Sequence, residues 1–375
     1  MKTIADIIVE SYIENLILPS EPLSPIWNRE NSVFQKTAKW NYIDNCMIKA
    51  VIMLYELTGN NQLLEYAINF TDAYICDGSI PTMRTEDFNL DNINGGKNLI
   101  YLFRKTGEKR YRKSLEKIYS QLERQPRLEN GNFWHKAIYP YQLWLDGIYM
   151  AFPFMAEYAE ISGTDIYEDI YSQLENVRRL MCDRKTGLYF HGYDEKRSQC
   201  WANAETGLSS EFWLRAMGWF CAGLADLCGI VQKNHRLYTL CAEMLAGLLE
   251  SLTACTNPDG TLCQLPAKPK ADGNYTETSG TLLFAYSAVK SADMGISGKN
   301  ILTAGLNAFS SVTEKYISPE KIPVLKNICL MAGLGGAENR DGSEKYYLSE
   351  KVVSNDAKGI APYIMAYVEI KKRQS

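Results

Sequence analysis

Three stretches of this chain share one pattern, and that pattern narrows the possible folds sharply. Residues 54–67 read LYELTGNNQLLEYA, 101–115 read YLFRKTGEKRYRKSL and 157–170 read EYAEISGTDIYEDI. Each passes from an apolar-periodic segment through Thr or Ser to a glycine. A few residues later an apolar-periodic segment begins again. Gly59, Gly107 and Gly163 stand where a helix ends in a left-handed residue, and the polar residues behind them suit the start of the next helix. The glycines are 48 (107−59) and 56 (163−107) residues apart, room for one helical hairpin and its connections. Ser297-Gly298 reads as a later, degraded copy of the turn. Helical patterns continue over 212–231, 238–254, 281–291, 301–316 and 359–372, with short strands or turns expected near 187–193 and 345–353.

Hairpins recurring about every fifty residues imply a solenoid or a closed ring of hairpins. At most seven fit, from 375/50. The expected architecture is an all-α, closed α/α toroid, with an open α-solenoid as the alternative. A ring makes residues 1–375 a single domain, because its inner helices pack about one axis. No Pro/Gly/Ser-rich linker divides the chain.

Charge and composition remove several function classes. The 40 basic and 44 acidic side chains give a net charge of −4. No basic block or stripe is present, so the electrostatic footprint of a nucleic-acid binder is missing. The first residues, MKTIADIIVESYIENLIL, carry Asp6, Glu10 and Glu14 within the apolar pattern and read as an amphipathic helix, not a signal peptide. No segment reads as a membrane span. Ten cysteines without a CxxC pair fit the reduced thiols of a cytoplasmic protein. Three histidines, at 135, 191 and 235, lack HExxH-type spacing, so neither a catalytic metal nor another cofactor is expected. The 24 Tyr, 12 Phe and 7 Trp offer flat faces suited to sugar rings, alongside their ordinary place in a core.

The run 141–159, YQLWLDGIYMAFPFMAEYA, isolates Asp146 among apolar residues, with Glu157 the next acid. A carboxyl in such company is costly to ionise. Desolvation favours its protonated form, as a general acid requires. A buried Asp that caps a helix fits the same residues, and the segment alone leaves both readings open. Four further clusters carry polar and aromatic groups: 89–96 (NLDNINGG), which equally suits an N-cap and glycine turn; 132–136 (NFWHK); 190–194 (FHGYD); and 211–220 (EFWLRAMGWF). Arg215, between Trp213 and Trp219, suits either a snorkelling surface position or a cation stacked on aromatics, ready for a carboxylate. Carboxyls, an Arg, two His and stacking aromatics, without a phosphate loop, point to a pocket for an acidic sugar.

These clusters, in their order, resemble the unsaturated rhamnogalacturonyl hydrolases, glycoside hydrolase family 105. The matching stretches are KWNYIDNCMIKA (39–50), NLDNINGG (89–96), FWHKAIYPYQLWLDGIYMAFPF (133–154), YFHGYDE (189–195), FWLRAMGWF (212–220), TSGTLLFAYSAVK (278–290) and GLGGAENRDGSEKYYLSE (333–350). The resemblance implies an (α/α)6 barrel. It also implies a hydrolysis that hydrates the C4=C5 double bond of a 4,5-unsaturated galacturonyl residue at the non-reducing end. Asp146 matches the family's general acid/base, and Asp91 its second acid. His191, Trp213 and Arg215 map onto substrate-binding positions, with Arg215 facing the uronate carboxylate and Trp213 and Trp219 stacking on sugar. His135, Lys136 and Tyr42 are further pocket residues, and the loop 335–342 is a candidate lid. A second carboxyl nearby would keep Asp146 protonated, while a helix N-terminus near Pro153 would oppose this. Three competing readings remain open: an unsaturated glucuronyl hydrolase acting on glycosaminoglycan-type disaccharides, another toroid enzyme such as an epimerase or lyase, and a non-catalytic glycan-binding protein.

Overall fold

The computed structural model describes residues 2–374. Gly59, Gly107 and Gly163 take φ of 68°, 71° and 71° and donate their N–H groups to the carbonyls of Tyr55, Phe103 and Ala159. Each thereby closes one helix and releases the chain into its antiparallel partner. In chain order the helices are α1 (Ile4–Tyr12), α2 (Arg29–Phe34), α3 (Tyr42–Thr58), α4 (Asn61–Asp72), α5 (Gly96–Thr106), α6 (Lys109–Glu123), α7 (Asp146–Ser162), α8 (Tyr167–Met181), α9 (Leu214–Ile230), α10 (Arg236–Ala254), α11 (Thr278–Asp293), α12 (Lys299–Ser311), α13 (Glu344–Ser349) and α14 (Ala357–Lys372).

Two kinds of helix follow from two kinds of sequence. In α9 every residue from Leu214 to Cys228 is buried, as expected of a helix that is apolar all round. The helix α6 buries only a stripe, including Tyr111, Leu115, Ile118 and Leu122, and turns its Lys and Arg outward. The first kind forms an inner ring in which α3, α5, α7, α9, α11 and α14 pack in succession and α14 returns to α3. The second kind lies outside: α4 on α3, α6 on α5, α10 on α8 and α9, and α12 on α11 and α14. The sixth hairpin joins the two ends of the chain. Tyr12 of α1 meets Tyr363 of α14 edge-on, and Asp6 accepts from the Tyr367 hydroxyl. This is an (α/α)6 barrel, closed as a toroid.

Strands are short. The antiparallel pair β1 (Gln142–Trp144) and β2 (Gly192–Asp194) sets Leu143 opposite Tyr193. It ties the segment before α7 to the one before α9. The pair β3 (Ile317–Ser318) and β4 (Val324–Leu325) forms a hairpin before α13, and β5 (Ile328–Cys329) pairs with β6 (Val352–Val353) across α13.

Several local expectations change. Ser297-Gly298 is not the turn of the α11–α12 hairpin: Gly295 holds the left-handed φ of 74°, and Gly298 is the N-cap of α12. The stretch expected as strand near 345–353 is mostly α13, with β6 after it. The helix start placed near Pro153 lies at Asp146, which leaves Pro153 inside α7. Among the described residues one helix, α10, is long and apolar enough by length and composition to cross a bilayer, contrary to the sequence reading. Here its apolar face lies on α8 and α9. All ten cysteines are free thiols.

Candidate active site

All six inner helices point their N-termini at one end of the barrel, and the side chains of interest sit there because of it. Tyr42 is the first residue of α3, Asp146 the first of α7 and Arg215 the second of α9. Asp91 lies in the 3-10 turn Leu90–Gly95 that leads into α5, where Asn89 Oδ1 accepts from the Asp91 amide. This turn approaches its neighbours closely. A Cβ on Gly95 would stand 2.1 Å from the Trp40 ring, and one on Gly96 2.4 Å from Phe154. Converging N-termini place positive dipole ends around an open cavity of about 280 Å³. Tyr42, Asp91, His135, Lys136, Asp146, Trp213, Arg215 and Trp219 all line it.

His191 is placed differently. It is fully buried and stands behind Asp146, not on the pocket wall. Its Nδ1 lies 2.7 Å from the Tyr347 hydroxyl, and its Nε2 3.2 Å from Asp146 Oδ2. Apart from this contact, Asp146 Oδ2 and His191 Nε2 have no hydrogen-bond partner among the described residues. The structure thus sets His191, expected at a sugar-binding position, behind Asp146 and outside the residues that line the pocket.

The same geometry decides the charge on Asp146. Burial pushes its carboxyl up, but the neighbouring His191, then His135 and its own backbone amide at the helix start, outweigh burial and hold it below the ordinary carboxylate value. The resting carboxyl is therefore ionised, which ranks two opposing effects that the sequence left unranked. Burial also lowers His135, to about 4, with the Asp91 charge opposing and Lys136 assisting. At neutral pH His135 is an uncharged imidazole, 3.6 Å from Asp91 Oδ1. Lys136 Nζ pairs with Asp91 Oδ2 at 2.6 Å.

The aromatic groups are also rearranged. Trp213 and Trp219 are 2% and 1% exposed, and their rings are already engaged, by His191 and Tyr347 and by Tyr149 respectively. They form floor, with little free face for a sugar. The stacked wall joins His135 to two residues that sequence reasoning did not place in the site, Trp144 and Tyr139. Trp144 lies between His135 (4.7 Å, 14°) and Tyr139 (4.7 Å, 19°). Arg215 lies over Trp213 but donates to the Cys329 carbonyl and to Ser279 Oγ, with Glu277 3.8 Å away. Its charge is largely spent inside the protein. Tyr347 and Arg340 were missed as well. Their only signal was the run RDGSEKYYLSE, which says nothing about where those side chains reach.

Comparison with known proteins agrees with this architecture. The model of Glycosyl Hydrolase Family 88 matches residues 25–374. A family 105 glycoside hydrolase from C. acetobutylicum superposes with a TM-score of 0.90 at 33% identity, covering 98% of this chain and 99% of that one. The unsaturated rhamnogalacturonyl hydrolase YesR of Bacillus subtilis is 24% identical over 253 residues, 65% of this chain and 70% of YesR. An unsaturated glucuronyl hydrolase from a Bacillus species shares the fold, with a TM-score of 0.67 at 14% identity over 89% of this chain and 87% of that one. By the extent of the family match and by the identity to the C. acetobutylicum enzyme, the chain belongs to the family 88 and 105 glycoside hydrolases.

Proposed function

We propose that this hydrolase removes a 4,5-unsaturated galacturonyl residue from the non-reducing end of rhamnogalacturonan fragments by hydrating its C4=C5 bond. The observation that carries the reading is the buried carboxyl of Asp146 at a helix N-terminus, facing a pocket lined by Lys136, Arg215 and Arg340. Such a pocket favours an anionic sugar. The name of YesR supports the galacturonyl form of the substrate. In this reading the uronate enters with its own negative charge and displaces water. Both effects raise the Asp146 carboxyl, so proton uptake accompanies binding. Asp146 gives that proton to C4 and then takes one from the water that adds at C5. The product is a hemiketal at C5. It opens to a 5-keto sugar, leaving a hemiacetal at C1, which collapses to the aldehyde and frees the neighbouring sugar. Asp91, fixed by Lys136, is the second acid of the site. No glycosyl-enzyme bond forms, so the two-carboxylate spacing rules of ordinary glycosidases do not apply.

The test is loss of ultraviolet absorbance from the conjugated ene-carboxylate of an unsaturated rhamnogalacturonan disaccharide. Rhamnose release should accompany it. The Asp146→Asn variant should bind the disaccharide and lose at least about a hundredfold in kcat. Consumption of unsaturated glycosaminoglycan disaccharides in preference would replace galacturonyl by glucuronyl in the assignment. Substantial turnover by Asp146→Asn would remove its acid/base role.

A further inference from the structure

Five cations line the pocket, and four of them are committed or solvated. Lys36 pairs with Glu30 at 2.8 Å and Lys136 with Asp91 at 2.6 Å. Arg215 is bonded to Cys329 and Ser279. Lys39 is exposed at the rim. Arg340 differs in being fixed by neutral acceptors: its Nε donates to the Gly335 carbonyl at 2.9 Å, and its Nη2 to the Tyr139 hydroxyl at 2.8 Å. The nearest carboxylate, Glu338, is 3.8 Å away in the same loop and is itself 72% exposed. Glu350, bonded to Tyr346, acts on Arg340 only through longer-range charge.

The chain also makes room for this guanidinium. A Cβ on Gly333 would lie 2.6 Å from Arg340 Nη1, and one on Gly336 3.1 Å from Nη2. Gly335 and Gly336 take φ of 59° and 76°, and Gly335 exchanges both backbone hydrogen bonds with Arg340. The GLGG run is thus a cradle shaped to the arginine. Tyr139, which holds the far edge, stacks on Trp144, and Trp144 meets both His135 and His191 beside Asp146. A single aromatic wall therefore fixes the cation relative to the carboxyl proposed to do the chemistry.

We propose that Arg340, not Arg215, is the receptor for the uronate carboxylate, with Nη1 as its free edge; this rests on the function proposed above. A planar guanidinium held in place before binding loses little freedom on pairing with a carboxylate, which makes it a specificity element for acidic over neutral sugars.

The test compares two ligands, the unsaturated uronyl disaccharide and its analogue with C6 reduced to the alcohol. Binding is measured calorimetrically in the Asp146→Asn background and turnover in the wild type. The acid should bind at least about tenfold tighter than the alcohol. Arg340→Gln should weaken the acid by about tenfold or more and leave the alcohol within about twofold. Arg340→Lys, which keeps the charge without the fork, should fall between and serves if the Gln variant does not fold. Retained discrimination in Arg340→Gln, or discrimination erased by Arg215→Gln instead, overturns the proposal. Hydration of the acid by the wild type, with both ligands bound alike in the Asp146→Asn background, overturns it and leaves the function standing. Discrimination lost in Arg340→Gln without any hydration supports Arg340 and overturns the function. Failure of both ligands to bind overturns both.

Discussion

His191 stands between Tyr347 and Asp146, with no solvent on any side. Its proximity to Asp146, through hydrogen bonding first and charge second, is the chief influence opposing desolvation. In a His191→Gln variant the potential positive charge is gone and burial remains, so the Asp146 carboxyl should titrate at higher pH. Carbon NMR of labelled aspartate reads this directly; an unchanged titration would show that His191 does not set the proton affinity. The sign for stability follows. A carboxyl held below its ordinary value of 3.8 stabilises the fold above that pH, and the contribution is lost as pH falls through the folded value. In the variant that acid-side loss should shrink. Asp146 was legible in the sequence because one acid in an apolar run is a local signal. The depth of His191 was not, because its partner Tyr347 is 156 residues away along the chain. Arg340 was visible only as part of a glycine-rich loop, since nothing local showed that Tyr139 would meet it.

Pro153 shows the same division at the scale of an element. It lies inside α7 and has no N–H to offer the Tyr149 carbonyl, four residues before it. Lys97, from the first turn of the neighbouring helix α5, donates to that carbonyl at 3.1 Å and lies 3.6 Å from the centre of the Tyr149 ring. Sequence reading took Pro153 as a sign of a helix start, a common place for proline. The repair that makes an interior proline tolerable comes from another hairpin, and no local pattern reveals it. The glycine turns at 59, 107 and 163 were legible because each bond that closes them is local. The position is costly for an ammonium: burial, then the charge of Lys49, lowers Lys97 to about 7, with Asp226 opposing. Between that value and 10.5 the unfolded chain holds more protons than the folded one, so this lysine makes stability climb with pH. The unfolding free energy from denaturant titrations should therefore rise between pH 7 and about pH 9 by roughly 1–3 kcal/mol more for the wild type than for Lys97→Met. Equal pH dependence in the two proteins would show that Lys97 keeps an ordinary proton affinity.

At the scale of the molecule, a period of about fifty residues is compatible with a ring or an open stack, and the difference lies in what the ends do. In an open solenoid each terminal hairpin touches one neighbour and frays by itself. Here α14 is an inner helix whose outer partners are α12 and α1, so the last helix depends on the first. Tyr12 is fully buried against Tyr363, 351 residues later (363−12), and Asp6 holds Tyr367 and Lys371. Sequence periodicity could not disclose this sixth hairpin, because its halves are not consecutive and share no turn. The dependence is testable. Tyr12→Ala deletes a buried aromatic and should cost about 3–5 kcal/mol. In a closed ring that loss is shared, so hydrogen exchange should show amides of α14 losing protection together with those of α1. Protection lost in α1 alone, with α14 unchanged, would mean that the ends do not support each other and that the barrel behaves as an open stack. Closure also bears on the pocket. Asp356 caps α14 at the same end of the barrel as Asp146, and Lys358, next to that cap, lies 3.6 Å from Glu30 on the pocket wall. Loosening α14 should therefore raise KM in Tyr12→Ala at temperatures where the protein is still folded, whereas a KM equal to that of the wild type would confine the role of α1 to stability.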